Sequence, residues 1–300
     1  MTRLIRIAAA AYPFDWLDSF DAYRAKIGAW VAGAADCDLL VFPEYGAMEL
    51  ASLGGPAIAA DLEASLHEVA RHEPARDALH RELAAAHGVH ILAASGPHFD
   101  PTQSGNPRPV NRAVLYGPQG RIGHQDKQVM TRFEREDWNV IGAPGLRVFD
   151  TAVGRIGVLI CYDVEFPELS RIMADQGMQI LFVPFLTDTQ NGYSRVRVCA
   201  QARAIENECF VVIAGSVGNL PRVHNMDIQY AQSGVFTPCD FAFPTDGKRA
   251  EATPNTEKMA TMPALKTAPL EISPGLTLQR IKMMAPAISI IIWITRFMER

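Results

Sequence analysis

Apolar and polar positions alternate along the chain in short buried runs separated by amphipathic stretches. Leu4–Ala11 is an apolar run of strand length. Asp18 or Ser19 then offers an N-cap, and Phe20, Tyr23, Ile27, Trp30, Val31 and Ala34 recur at helical spacing. Leu39–Phe42 reads as a short buried strand stopped by Pro43, Pro74 to His87 as a helix ended by Gly88, and Val89–Ala94 as a further strand. A loop rich in Pro, Gly and Asn follows from Gly96 to Pro109. Asn111–Tyr116 and Arg121–Gln125 flank Gly117-Pro118-Gln119-Gly120, a hairpin signal, and Arg147–Asp150 with Arg155–Ile160 repeats it around Gly154. Ile180–Pro184 and Phe210–Ala214 are buried strands with a helix, Arg195–Glu208, between them, and Gln232–Thr237 is expected to be the last core strand. Hairpins mixed with strand–helix units imply an α/β fold with a mixed sheet system and helices on its outer faces. There is no internal repeat and no linker signal before about residue 250.

Composition narrows the function classes. The 300 residues are 48% hydrophobic, enough for a large core, and the formal charge of -5 is spread without long like-charge runs. No basic stripe interleaves with aromatics, so nucleic acid is not expected as a partner. Met1 to Ala11 reads as a first strand and not as a signal peptide, and no uninterrupted apolar run approaches the ~18 residues of a membrane span. The five cysteines are odd in number and irregular in spacing, without CxxC or zinc-ligand spacing. A reduced, cytoplasmic protein without a metal site is expected.

Three segments carry candidate chemistry. In Leu39-Leu40-Val41-Phe42-Pro43-Glu44-Tyr45 an acid stands just past a buried strand, where α/β sheets gather ligands. In His124-Gln125-Asp126-Lys127 a lysine ends a strand, ahead of the charged run Arg132-Phe133-Glu134-Arg135-Glu136-Asp137-Trp138. In Gly157-Val158-Leu159-Ile160-Cys161-Tyr162-Asp163-Val164-Glu165-Phe166-Pro167-Glu168 a buried strand runs into Cys161, and Pro167 suits a helix's first turn. A cysteine at such a strand-to-helix turn is held rigidly, the following N–H can donate to an oxyanion, and a nearby helix N-terminus favours the thiolate. Taken singly, each has an ordinary reading: two solvated loop charges and a core cysteine.

Together the segments resemble the nitrilase-like, or carbon–nitrogen hydrolase, superfamily. Phe42-Pro43-Glu44 resembles its glutamate segment, Asp126-Lys127 its lysine segment, and Ile160-Cys161-Tyr162-Asp163 with Phe166-Pro167-Glu168 its cysteine segment. Leu181-Phe182-Val183-Pro184 and Ala202-Arg203-Ala204-Ile205-Glu206-Asn207 agree as well, so the resemblance spans about residues 3 to 257. It implies a four-layer αββα sandwich that pairs into homodimers or higher homo-oligomers, and a Glu–Lys–Cys centre without metal or organic cofactor. Residues 187 to 197 resemble a branch with poorly defined substrates, some of whose members carry a fused acetyltransferase domain.

On this reading Cys161 is the nucleophile and Glu44 the general base. Lys127 lowers the thiol pKa and stabilises the tetrahedral intermediate, with the Tyr162 N–H as a second oxyanion donor. The resemblance implies a further glutamate near the lysine; both Glu134 and Glu136 lie in that region, and Glu134 is favoured. Tyr193 and Arg195 are candidate substrate contacts, an exposed loop being the alternative. Arg203 and Glu206 read as structural ion partners, and His224 and Asp227 receive no role. The expected substrate is a small-molecule amide, with an N-carbamoyl group or a nitrile as alternatives. A non-catalytic scaffold and a thiol redox sensor are the readings from other classes.

Residues 1–258 form the expected hydrolase domain and 259–300 an atypical tail. Met259 to Lys282 shows no sustained period, and Ile288 to Ile294 is β-prone and too short to span a bilayer. The tail is expected to be poorly integrated and to weaken subunit pairing.

Overall fold

The computed structural model describes residues 5–102, 107–255 and 258–260. The predicted tail lies outside these apart from Met259 and Ala260.

Each element follows from a local cause. Strand β1, Ile7–Pro13, is apolar throughout. Helix α1, Phe20–Gly33, starts where Ser19 accepts from the Ala22 N–H, so Ser19 and not Asp18 is the cap, and it buries Tyr23, Ile27 and Val31. Strand β2 is Leu39–Val41. A 3-10 segment, Gly46–Gly54, then leads to α2, Pro56–Ala59, and α3, Leu62–Arg71. The sequence reading assigned no element to these three, because small residues and short lengths give no period. Helix α4, Glu73–His87, ends on Gly88 at φ 64°, a left-handed position that suits glycine. Strands β3, His90–Leu92, and β4, Gly96–His98, precede the hairpin β5, Val110–Gly117, and β6, Gly120–Asp126. The short helix α5, Arg132–Glu136, and a second hairpin, β7, Val148–Thr151, with β8, Gly154–Val158, come next.

Helix α6, Pro167–Asp175, begins on proline, and β9 is Ile180–Phe185. Helix α7, Gln190–Glu206, starts five residues before the expected Arg195, because Thr189 caps it through the Gly192 N–H. Strands β10, Phe210–Val217, and β11, Gly234–Phe236, are followed by β12, Lys248–Glu251, and β13, Lys258–Ala260. The expectation that the strand near Gln232–Thr237 would be the last is therefore corrected: β12 and β13 are short additions that carry no apolar run to announce them. The domain boundary drawn after Lys258 falls inside β13.

The strands form two sheets. One holds β4, β5, β3, β2 and β1, with β6 on β5 and β13 on β1; the other runs β7-β8-β9-β10, with β11 and β12 beyond. They join where Tyr12 and Pro13 pair with Ser216 and Val217. Alternation along β1 and β2 divides the core. Ile7, Ala9, Ala11, Leu39 and Val41 share one apolar cluster with β8, β9, β10, α6 and α7. Ala8, Ala10, Tyr12, Leu40 and Phe42 share the other with α1, α3 and α4. The result is the four-layer αββα sandwich, helices outside and two sheets within.

Strand direction decides where the chemistry goes. Strands β1, β2 and β3 are parallel, β5 is antiparallel to β3, and β6 antiparallel to β5, so β6 again runs with β2. In the other sheet β8, β9 and β10 are parallel, and β10 is parallel to β1 where the sheets join. The segments after β2, β6, β8 and β9 therefore leave the sandwich at the same end.

The loop after β6 is tightly built. A Cβ added at Gly142 would overlap the backbone carbonyl oxygen of Gln128, next to Lys127. Gly142→Ala is expected to lower stability by about 1–3 kcal/mol. Gly28 in α1 has open space at its Cβ, and Gly28→Ala is expected to gain about 0.5–1 kcal/mol. Urea melts of both variants check the pair.

Candidate active site

Lys127, at the end of β6, is almost fully buried. Its Nζ lies 2.7 Å from Glu44 Oε1 and 2.7 Å from Glu134 Oε2. Both carboxylates are also buried, so a single ammonium is shared by two acids inside the protein. Neighbouring donors complete each carboxylate. Asn111 Nδ2 donates to Glu44 Oε1 at 3.0 Å, and the Leu186 N–H donates to Glu44 Oε2 at 3.0 Å. Glu134 accepts from the Tyr45 hydroxyl at 2.8 Å and from the Thr131 N–H and hydroxyl, both at 2.9 Å.

Cys161 opens a 3-10 turn, Cys161–Glu165, three residues beyond the end of β8, with φ 50°. That left-handed backbone is uncommon for a residue with a side chain and fits a tight strand-to-helix turn. The thiol is buried, donates to the Leu186 carbonyl at 3.5 Å, and feels the Glu44 charge. Leu186, just past β9, thus touches the Glu44 carboxylate and the thiol through its own N–H and carbonyl.

Asp163 fastens the lysine loop to the cysteine turn. Its buried carboxylate accepts from the N–H groups of Gln128 at 3.1 Å, Val129 at 2.8 Å and Ile160 at 3.1 Å. Arg203, also buried, donates to the Val164 carbonyl at 3.0 Å and pairs with Glu206 at 2.5 Å, so its structural role includes holding this turn.

The electrostatics follow from burial. Desolvation raises Glu44 to about 7; Lys127 opposes the rise and Glu134 adds to it. Burial works against a charged Lys127, but the two carboxylates outweigh it and hold the ammonium well above its ordinary pKa. Glu134 is likewise penalised by burial, yet Lys127 and the Thr131 and Tyr45 donors bring it below the usual carboxylate value. Burial and the Glu44 charge push the Cys161 thiol well up, against the pull of Lys127. Lys127 lowers the thiol pKa as expected, but burial and the Glu44 charge outweigh it, so the thiol lies above its ordinary value and the protonated form is favoured.

The remaining sequence candidates are placed as follows. Glu134, and not Glu136, meets Lys127; Glu136 is exposed and pairs with Arg132 at 2.7 Å. The segment is helical rather than extended, with Thr131 and Glu134 forming a capping box. Two steps along a helix turn the side chains to opposite sides, whereas an extended chain would have put both glutamates on one face, so the helix is what separates Glu134 from Glu136. Tyr162 is half-buried with its ring edge-on to Phe166. Tyr193 is buried against Phe185 and Tyr230, its hydroxyl on Gln232 at 3.1 Å. Arg195 is exposed and pairs with Glu165 at 3.1 Å. Neither Tyr193 nor Arg195 is among the partners of Glu44, Lys127 or the thiol. Asn111, Tyr45, Thr131 and Asp163 were missed. The signal for Asn111 was present: it shares a strand face with Ala113 and Leu115, a polar residue in an apolar alternation. Among the described residues no cluster of His, Cys, Asp or Glu is suited to a metal, and no helix is long and apolar enough to cross a membrane.

Comparison with known proteins agrees with this arrangement. The carbon–nitrogen hydrolase family matches residues 6–240. A probable hydrolase of Bacillus subtilis, YhcX, is 40% identical over 258 residues, 84% of this chain and 48% of its own length. The deaminated glutathione amidase of Yersinia enterocolitica is 31% identical over 148 residues, 46% of this chain and 51% of that protein. The chain thus spans about half the length of these curated relatives. The crystal structure of Saccharomyces cerevisiae Nit3, of branch 10 of the nitrilase superfamily, shares the fold with a TM-score of 0.66 at 20% identity, covering 86% of this chain and 88% of Nit3. An amidase from Nesterenkonia sp. AN1 shares it with a TM-score of 0.59 at 24% identity, covering 78% and 85%. With the fold, the family match and the YhcX identity in agreement, the chain belongs to the carbon–nitrogen hydrolase family.

Proposed function

We propose that this chain hydrolyses a small-molecule amide through a thioester on Cys161. The observation that carries this reading is Leu186, whose N–H binds the Glu44 carboxylate that Lys127 also holds and whose carbonyl accepts from the Cys161 thiol. A base raised to about 7 beside a protonated thiol suits a proton transfer that occurs as the electrophile arrives. Glu44 takes the thiol proton as the sulfur attacks the carbonyl carbon. Lys127 and the Tyr162 N–H stabilise the oxyanion, and Glu134 keeps Lys127 charged and aimed. The proton on Glu44 passes to the departing nitrogen, ammonia or amine leaves, and the acyl group remains on sulfur. Water gives a proton to Glu44 and attacks the thioester, and the acid departs as the thiol regains its proton. The amidases among the relatives favour an amide over an N-carbamoyl group or a nitrile. Ammonia release from a panel of the three classes tests the choice: release from nitriles alone would overturn it.

The wider setting belongs to the same reading. All five cysteines are free, as suits a reducing cytoplasm, and the protein is proposed to act as a homodimer. Sedimentation tests the pairing.

Three outcomes are expected. Acid quench during turnover leaves an acyl mass on the peptide bearing Cys161, and Cys161→Ala lowers turnover at least about a thousandfold; a variant with ordinary turnover would sink the mechanism. The base must be ionised to act, so kcat/KM is lost as pH falls through about 7, and Glu44→Gln abolishes that limb along with most activity. Glu134→Gln lowers kcat about a hundredfold or more, while Glu136→Gln stays near wild type; equal, small effects would remove Glu134 from the catalytic group.

A further inference from the structure

Asn111 occupies a place where the fold calls for an apolar side chain. It lies on the β5 face shared with Ala113 and Leu115, which pack in the core between the sheets. It is fully buried, and its Oδ1 has no hydrogen-bond partner among the described residues. An unpaired buried acceptor destabilises a protein, so packing alone does not account for an amide there. The one side-chain bond Asn111 makes is from Nδ2 to Glu44 Oε1, the oxygen that Lys127 also holds. Its backbone carbonyl meanwhile accepts from the Lys127 N–H at 2.9 Å. One residue thus fixes the lysine through its main chain and the carboxylate through its side chain.

We infer that Asn111 is a positioning residue for the general base: with Lys127 it holds one Glu44 oxygen, leaving the other to Leu186, whose carbonyl takes the Cys161 thiol. The inference rests on the reading of Glu44 as base. The charged and titratable groups around Glu44 are Lys127, Glu134, the Tyr45 phenol and the Cys161 thiol, with Asp163 acting on Lys127 from the cysteine turn. Asn111 adds a neutral donor to this set, and a donor to a carboxylate favours its ionised form.

Alkylation of Cys161 by iodoacetamide, followed across pH by peptide mass, tests this without a known substrate. The wild type should show an acid limb that disappears in Glu44→Gln. In Asn111→Ala the limb should move up by about one pH unit, with alkylation about tenfold slower below it and near wild-type rates above it. Asn111→Asp keeps the shape but adds a second carboxylate, and should move the limb further. Thermal unfolding of Asn111→Ala should be unchanged or higher. Equal slowing at every pH, an unmoved limb in both variants, or a lowered unfolding temperature as the sole effect would make Asn111 a packing residue and overturn the inference. A limb that survives Glu44→Gln would instead overturn the base itself.

Discussion

The site depends on one buried cation shared by two buried acids. An ammonium out of water is tolerated only when paired, and removing one partner of a buried pair typically costs about 3–5 kcal/mol. Lys127 has Glu44 and Glu134 at equal distances of 2.7 Å. Because one positive charge faces two carboxylates, the second proton of the group is held less tightly than that of an isolated buried acid, yet more tightly than in water. Glu134 draws the larger share of stabilisation from Lys127, Tyr45 and Thr131 and stays ionised. Glu44 is left to titrate near neutral pH. The different environments of the two glutamates push their pKa values apart, a division that the proposed mechanism uses.

That division explains the state of the thiol. A cysteine with a preformed thiolate needs a cation that answers chiefly to it. Here Lys127 already answers to two carboxylates, and burial adds its own penalty, so Cys161 stays protonated. On the proposed mechanism, the nucleophile forms only when a group able to receive the sulfur's electrons enters next to it. Leu186 links the two groups, since its N–H binds the Glu44 carboxylate and its carbonyl the thiol, so both share one reference point at the end of β9.

Much of the fold was legible because its strands are short, apolar and bounded by glycine or proline. The hairpin around Gly117–Gly120, the strand ending at Pro184 and the helix closed by Gly88 were all readable from local chemistry. What escaped was decided by neighbours. The Gly46–Gly54 segment is a 3-10 run of small residues stabilised by burial, with Glu49 fully enclosed and bound to Lys26 at 2.7 Å. Strands β12 and β13 exist because β11 and β1 offer them edges. Glu44, Lys127 and Cys161 stood out as polar residues at the ends of buried runs. Asn111 and Asp163 lie within such runs or turns, and their purpose appears only when the chain brings their partners across.

The same topology explains why the centre is assembled from distant segments. Parallel strands in each sheet, and the parallel joint of β1 with β10, bring four strand ends to one side of the sandwich. Strand ends alone do not set a proton-transfer distance; cross-links between the loops do. Asp163 ties the lysine loop to the cysteine turn, the Ser216 hydroxyl donates to the Glu44 carbonyl at 3.3 Å, and Tyr45 reaches from the glutamate segment to Glu134. Two of these links join segments that carry catalytic candidates and the third ties the glutamate segment to β10, and all use a buried polar group that the core would otherwise exclude. The fold therefore accepts a polar interior at this end of the sandwich, and gains there a thiol, a base and a cation held in fixed relation by bonds that none of the segments makes alone.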